Sequence, residues 1–178
     1  NCLHTRVITM KKRIIICDID GTIADLNHRL HFIKNEDGTK KRGAAADWKS
    51  FHAGCADDAP ITDVIEIVKS LAVGRNVFFV SGRNATARAE TEQWIKKYFN
   101  FKWADGCNLF MRKGHDFRPD TVVKLEMVRE LGITPDQVEC ILDDRQCVVD
   151  MWRENGFRCL QVTAWRETDE ISDVTQPR

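Results

Sequence analysis

Three short apolar runs each break off at residues that a hydrophobic core rejects. Arg13–Cys17 (RIIIC) runs into Asp18-Ile19-Asp20, Val77–Val80 (VFFV) into Ser81-Gly82-Arg83, and Glu139–Leu142 (ECIL) into Asp143-Asp144. Runs of Ile, Val, Phe and Leu without polar alternation read as strands buried on both faces, the pattern of a parallel sheet covered by helices. Helix-period segments separate the runs, as parallel connections require. Ile61, Val64, Ile65, Val68 and Leu71 mark one helical face, stopped by Gly74. Further helices are expected over 85–98, from Pro119 to Leu131 with Gly132 as the stop, and over 146–155 with Gly156 as the stop. Short strands are expected near Leu109–Met111 and Arg158–Val162. The expectation is an α/β fold, a three-layer Rossmann-like parallel sheet. Ligand crevices in such sheets form at the carboxyl ends of strands, so the three polar strand ends should converge.

At 178 residues and 43% hydrophobic content, the chain fits one domain around one core. That domain is expected over 10–163, with 1–9 an expression remnant or an N-terminal arm ahead of Met10 and 164–178 a polar tail. Lys+Arg and Asp+Glu each number 27, so no net field holds a duplex by phosphate neutralisation, and any nucleic acid must be met locally. No apolar run approaches the roughly 20 residues of a bilayer span, and residues 1–9 lack the apolar stretch of a signal peptide. A soluble, cytoplasmic protein with no membrane partner is expected. Seven cysteines without CxxC pairs read as reduced thiols.

Two carboxylates just past a buried strand are costly unless a cation offsets them. Metal-assisted attack by aspartate on phosphorus uses that arrangement. In Asp18-Ile19-Asp20-Gly21-Thr22 one carboxylate, held by Mg²⁺, would form an aspartyl-phosphate, and the second would protonate the leaving oxygen and later activate water. Gly21 permits the tight turn, and Thr22 offers a hydroxyl and backbone N–H groups to phosphate. Read alone, DxDG is equally an Asp/Gly turn. Ser81, Gly82 and Arg83 present a hydroxyl, an amide and a guanidinium to a phosphate, or a Ser-Gly turn with a solvated arginine. Asp120 and Lys124, at i and i+4, are either a surface ion pair or an ammonium facing the nucleophile and phosphoryl group while Asp120 orients it. Asp143 and Asp144 offer the hard oxygens Mg²⁺ prefers, or a capped turn. The four signals, in this order, reinforce one another.

On Asp18/Asp20, Ser81, Lys124 and Asp143/Asp144 the chain resembles the haloacid dehalogenase-like phosphotransferases over about Arg13 to Val162. The resemblance implies Asp18 as nucleophile and Asp20 as general acid/base. It also implies Mg²⁺ held by Asp18, a backbone carbonyl of Asp20, Asp143 and Asp144, with Ser81 and Lys124 on the phosphate. DIDGTIADLNHR with Arg29, VSGR with Arg83, RPDTVVK, and LDDRQCVVDMWRENGFRCLQV resemble more closely the phosphatase domain of phage-type polynucleotide kinase-phosphatases. That implies a phosphatase acting on 3′-phosphates of DNA or RNA ends, with Arg29, Arg83 and Asp120 in its active site. The physical reading agrees, because two arginines clamp a phosphate more directionally than two lysines would. The chain has no GxxxxGK[ST] loop, so no ATP-dependent kinase activity is expected of it.

An insertion of about 30–60 separates the first two motifs, whereas little chain lies between Met111 and Pro119. It is read as a small flap or cap after the first strand. Lys34, Lys40, Lys41 and Arg42 could form a basic rim with Trp48, Phe51 and His52 as a stacking platform. The preferred reading is that Trp48 and Phe51 pack a short helix onto the domain. Arg112, Lys113, His115 and Arg118 read as a solvated polar loop, and Val148, Val149 and Trp152 as core. Two other functions compete with end processing: a nucleotidase acting on free deoxynucleotides under the flap, and a catalytically idle phosphate-binding domain.

Overall fold

The computed structural model describes residues 13–99 and 108–163; the 1–9 arm and the tail from 164 lie outside them. In chain order the strands are β1 (Ile14–Cys17), β2 (Ala24–Asp25), β3 (Ala59–Pro60), β4 (Asn76–Asn84), β5 (Leu109–Arg112), β6 (Val138–Asp143) and β7 (Cys159–Gln161). The helices are α1 (Trp48–Ala53), α2 (Thr62–Leu71), α3 (Arg88–Tyr98), α4 (Asp120–Glu130) and α5 (Gln146–Glu154). Five strands form one sheet ordered β5-β4-β1-β6-β7, every pairing parallel.

The apolar runs alternate between two cores. Ile15, Cys17, Val77, Phe79, Cys140 and Leu142 face α2 and α3, while Ile16, Val80 and Ile141 face the other way, towards Val128 of α4 and Val148, Val149 and Trp152 of α5. Period-two side-chain direction explains why an unbroken Ile-Ile-Ile-Cys run is needed: both faces of β1 are covered. Each fully buried aliphatic side chain contributes about 1.5–3 kcal/mol. The five described cysteines are free thiols.

Two strand ends differ from expectation. β4 does not stop at Val80; it continues to Asn84, because its register against β5 shifts between Ser81 and Asn84, pairing Ser81 with Met111 and Asn84 with Arg112. The Ser-Gly-Arg segment is thus an irregularity inside a ladder, where bulges re-aim side chains. β7 is shorter than 158–162 because only Cys159–Gln161 pair with β6.

The insertion folds around its own small core of Leu26, Ile33 and Phe51, with Leu30, Phe32 and Trp48 against it. Asp47 caps α1, its carboxylate accepting from Ser50 N–H at 2.9 Å. β2 and β3 pair antiparallel and close the segment at its base.

Candidate active site

Asp18 and Asp143 stand at the carboxyl ends of β1 and β6, and Ser81 lies in the carboxyl half of the adjacent β4, where its register shifts. After β1 the chain turns sharply: Ile19 is fully buried beneath the turn, Gly21 takes φ 78°, and Gly21 N–H bonds Ala24 C=O at 2.9 Å. Burying Ile19 leaves Asp18 and Asp20 on the opposite side, facing different neighbours.

The first cluster surrounds Asp18. Its backbone N–H donates to Leu142 C=O at 2.9 Å, joining β1 to β6. Lys124 reaches from α4 with Nζ 2.8 Å from Asp18 Oδ1 and 2.9 Å from Asp143 Oδ2. Thr22 Oγ1 lies 3.4 Å from Asp18 Oδ2 and 3.3 Å from Asp144 Oδ1. Asp143 is fixed further by Asp144 N–H at 3.0 Å and Trp152 Nε1 at 3.4 Å. Burial pushes Asp18 well above the ordinary carboxylate range, and Asp143 and Asp144 push the same way against Lys124. Burial opposes the charge on Lys124, but Asp143 and Asp18 outweigh it and hold the ammonium above its usual value. One oxygen from each of Asp18, Asp143 and Asp144 lies within 4.8 Å of the others. Three buried carboxylates against one ammonium form an all-oxygen donor set that fits a hard divalent cation.

The second cluster surrounds Asp20. Arg83 donates Nε to Oδ2 at 2.9 Å and Nη2 to Oδ1 at 2.8 Å, and Arg29 donates Nη2 to Oδ1 at 2.5 Å. Behind them lies Asp58, buried, accepting from Arg29 Nε at 2.6 Å and Nη2 at 2.8 Å, from Arg83 Nη2, and pairing with His28 Nε2 at 2.9 Å. Arg29 also bonds Phe51 C=O at 3.2 Å and lies over the Phe51 ring at 4.3 Å. Burial disfavours charge on Asp20, but Arg83 and Arg29 outweigh it and hold its pKa well below the carboxylate range. Both arginines therefore use Asp20 as a direct partner, and Arg29 is fully buried.

The third cluster surrounds Asp120. It does not bond Lys124; it pairs with Arg112 Nη2 and, at 2.5 Å, with Arg145 Nη1. Burial raises its pKa, but Arg145, Lys124 and Arg112 reverse this and leave it lowered. Arg112 is a correction: it is buried, not part of a solvated loop, because its guanidinium satisfies Gly82, Asp116 and Arg118 carbonyls at 3.0, 3.0 and 2.6 Å. Lys113, His115 and Arg118 are exposed as expected. A Cβ on Gly82 would overlap the Asp120 carboxylate, which explains a glycine there. Ser81 Oγ is buried and accepts from Arg83 N–H at 3.1 Å.

Every predicted site residue belongs to one of these clusters. Asp58, Arg112 and Arg145 escaped sequence reasoning. Their only linear signals are acidic Asp57-Asp58 before Pro60, a basic end to the LFMR run, and an arginine directly after the Asp143-Asp144 pair.

A family model described as the polynucleotide kinase PNKP phosphatase domain matches residues 12–165. The chain belongs to this family. A protein of Autographa californica nuclear polyhedrosis virus, named as a bifunctional polynucleotide kinase/RNA ligase, is 32% identical over 144 residues, spanning 80% of this chain and 18% of that protein. A chain in the structure of the Pnkp1/Rnl/Hen1 RNA repair complex superposes with TM-score 0.65 at 31% identity, covering 88% of this chain and 44% of its own. A haloacid dehalogenase-like hydrolase from Streptococcus pneumoniae, TM-score 0.57 at 14% identity over 89% of this chain and 90% of its own, shares the fold. The PNKP phosphatase-domain member described here thus spans under half the length of its more similar relatives. No helix of the described residues is long and apolar enough to cross a membrane.

Proposed function

We propose that this PNKP-type domain is a Mg²⁺-dependent phosphomonoesterase that removes 3′-phosphates from DNA or RNA ends through an aspartyl-phosphate on Asp18. The observation that carries the reading is the separation of Asp18 and Asp20 into an anionic, Lys124-bridged cluster and a diarginine cluster. Asp18, Asp143 and Asp144, with the Asp20 carbonyl, would hold Mg²⁺, which when bound screens the nucleophile and substrate phosphate from each other. An Asp18 oxygen attacks phosphorus, the bond from phosphorus to the 3′-oxygen breaks, and the departing oxygen takes a proton from Asp20. Water then attacks the phosphoryl group, giving its proton to the Asp20 carboxylate and releasing phosphate and free Asp18.

Arg29 and Arg83 keep Asp20 ionised before substrate arrives, the form water activation requires. Phosphate oxygens drawing on the same N–H groups would loosen that hold and let Asp20 take up a proton from the substrate's phosphate monoanion, which it then gives to the leaving oxygen. Lys124, Ser81, Gly82 and Thr22 orient the phosphate, and Arg112 and Arg145 keep Asp120 beside Gly82. A nucleotidase is the second reading, favoured by the packing of α1 against the Ala85–Ala87 turn that follows Arg83 and Asn84.

The test is phosphate release from a 3′-phosphorylated oligonucleotide beside its 5′-phosphorylated counterpart and free 3′- and 5′-mononucleotides, with Mg²⁺ and after chelation. Release from the 3′-end, lost on chelation and restored by Mg²⁺, is expected. Activity confined to mononucleotides would establish the nucleotidase, and no release from any of them an idle domain.

A further inference from the structure

α1 is joined to the chemistry from beneath. Phe51 faces inward, where its ring carries the Arg29 guanidinium at 4.3 Å and its carbonyl accepts from Arg29 Nη1. Gly54, just past α1, lies against the Arg29 side chain. A helix so attached to a residue that grips Asp20 cannot shift without disturbing the site.

Trp48 and His52, one turn apart and both half-buried, flank Phe51 on this short helix. Their rings lie 5.9 Å apart and inclined by 32°, while Phe51 meets Trp48 edge-on at 5.6 Å and His52 at 5.6 Å. The three rings thus brace one another. His52 packs against Phe51, whose ring and carbonyl hold Arg29, so it stands one side chain away from the diarginine cluster. Trp48 Nε1 is buried with no hydrogen-bond partner among the described residues, a leftover donor on a fold that otherwise satisfies its buried indoles: Trp94 Nε1 bonds Asp58 C=O at 2.7 Å and Trp152 Nε1 bonds Asp143. α1 also rests on the Ala85–Ala87 turn that leaves the end of β4. Nothing in the dephosphorylation chemistry uses this face.

We propose that the Trp48–His52 face of α1 is the nucleoside subsite: it receives the sugar and base of the nucleotide whose 3′-phosphate enters the Asp18 site. The inference rests on the 3′-phosphatase reading and deepens it. An imidazole is both hydrogen-bond donor and acceptor, suited to sugar hydroxyls and the 5′-side oxygen of the terminal nucleotide, and the indole supplies a flat apolar edge for the sugar and base. Phosphate recognition then belongs to the sheet ends, and recognition of what carries the phosphate belongs to the insertion.

The decisive experiment compares kcat/KM for a 3′-phosphorylated oligonucleotide, a nucleoside 3′-monophosphate and p-nitrophenyl phosphate in the wild-type chain, His52→Ala, His52→Gln and Trp48→Leu. His52→Ala and Trp48→Leu should lose at least tenfold more on the two nucleotide substrates than on the aryl phosphate, and His52→Gln should recover part of that difference. Indole fluorescence should also change when the nucleoside 3′-monophosphate, but not inorganic phosphate, is added to Asp18→Asn, and Trp48→Leu should remove that change. Equal losses on all three substrates, or none, would overturn the subsite while leaving the 3′-phosphatase intact. A wild-type preference for the aryl phosphate over both nucleotides would overturn the 3′-phosphatase reading and the subsite with it.

Discussion

Asp18 and Asp20 are separated by one residue, yet they occupy opposite electrostatic settings. Around Asp18 three carboxylates share one ammonium, so the cluster is left with excess negative charge and Asp18 resists ionising. Around Asp20 two carboxylates and two guanidiniums balance, and Asp20 resists protonation. The first region has a carboxylate set that could hold a cation; the second is closed by protein groups alone. The difference teaches that one turn, with Ile19 buried beneath it, can set one residue type in two opposite environments by choice of neighbours, as the proposed nucleophile and acid/base roles require.

The comparison breaks most completely at Asp18. Asp18→Asn should lower turnover by roughly 10⁴-fold or more, as loss of a nucleophile does. It should also raise the melting temperature of the cation-free protein, because one member of a like-charged cluster is neutralised, and weaken the rise that Mg²⁺ causes in the wild type. An unchanged melting temperature would contradict the excess charge argued for this region. Across the turn, Asp58→Ala leaves the buried Arg29 with Asp20 as its one carboxylate partner among the described residues, and should cost about 3–5 kcal/mol in urea unfolding. Because the two belong to one network, Arg29→Ala combined with Asp58→Ala should cost clearly less than the separate losses added together; strict additivity would show that the network is not a unit.

Gly82→Ala probes the Asp120 side. Displacing the Asp120 carboxylate should lower kcat by up to about 10²-fold with little change in denaturant midpoint, since the misplacement is small and local. The smallest effect is expected from pH. Burial lowers His52 from 6.5 to about 4, with Asp20 opposing and Arg29, Arg83 and Arg112 assisting. Between those values the unfolded chain binds more protons at this position than the folded one, so stability falls as pH drops from about 6.5 to about 4. Subtracting the profile of His52→Gln from that of the wild type isolates this slope from the carboxylates, and a flat difference would remove the burial of His52 from the account.

What the sequence revealed depended on range. DIDGT, SGR and the Asp143-Asp144 pair were legible because each follows an apolar run directly, so the position of the strand fixes the position of the chemistry. Asp58 was not, because its partners Arg29 and Arg83 are 29 and 25 residues away and only the folded insertion brings it beneath them. Arg112 looked like one more cation in a polar stretch; the carbonyls that bury it come from Gly82 and from a loop whose path no periodicity describes. The bulge between Ser81 and Asn84 was hidden for a related reason, since a register shift depends on the neighbouring strand. Asp120 and Lys124 do not form the surface ion pair their spacing allowed: Lys124 faces Asp18, the other alternative, while Asp120 takes Arg112 and Arg145, because a helical interval predicts proximity without naming the partner that wins.

The β2–β3 clasp has an evolutionary consequence. Asp25 faces Ala59 and Ala24 faces Pro60, so the two ends of the insertion emerge one strand spacing apart, about 4.8 Å. Chain enclosed by such a clasp can lengthen at a loop-closure cost of only about 0.6 kcal/mol per doubling. The central strands need not register the change, because Arg29 and Asp58 lie just inside the clasp and return to the same positions. The chain between Arg29 and α1 is therefore free to lengthen, while Phe51 and Asp58 keep Arg29 in place against Asp20.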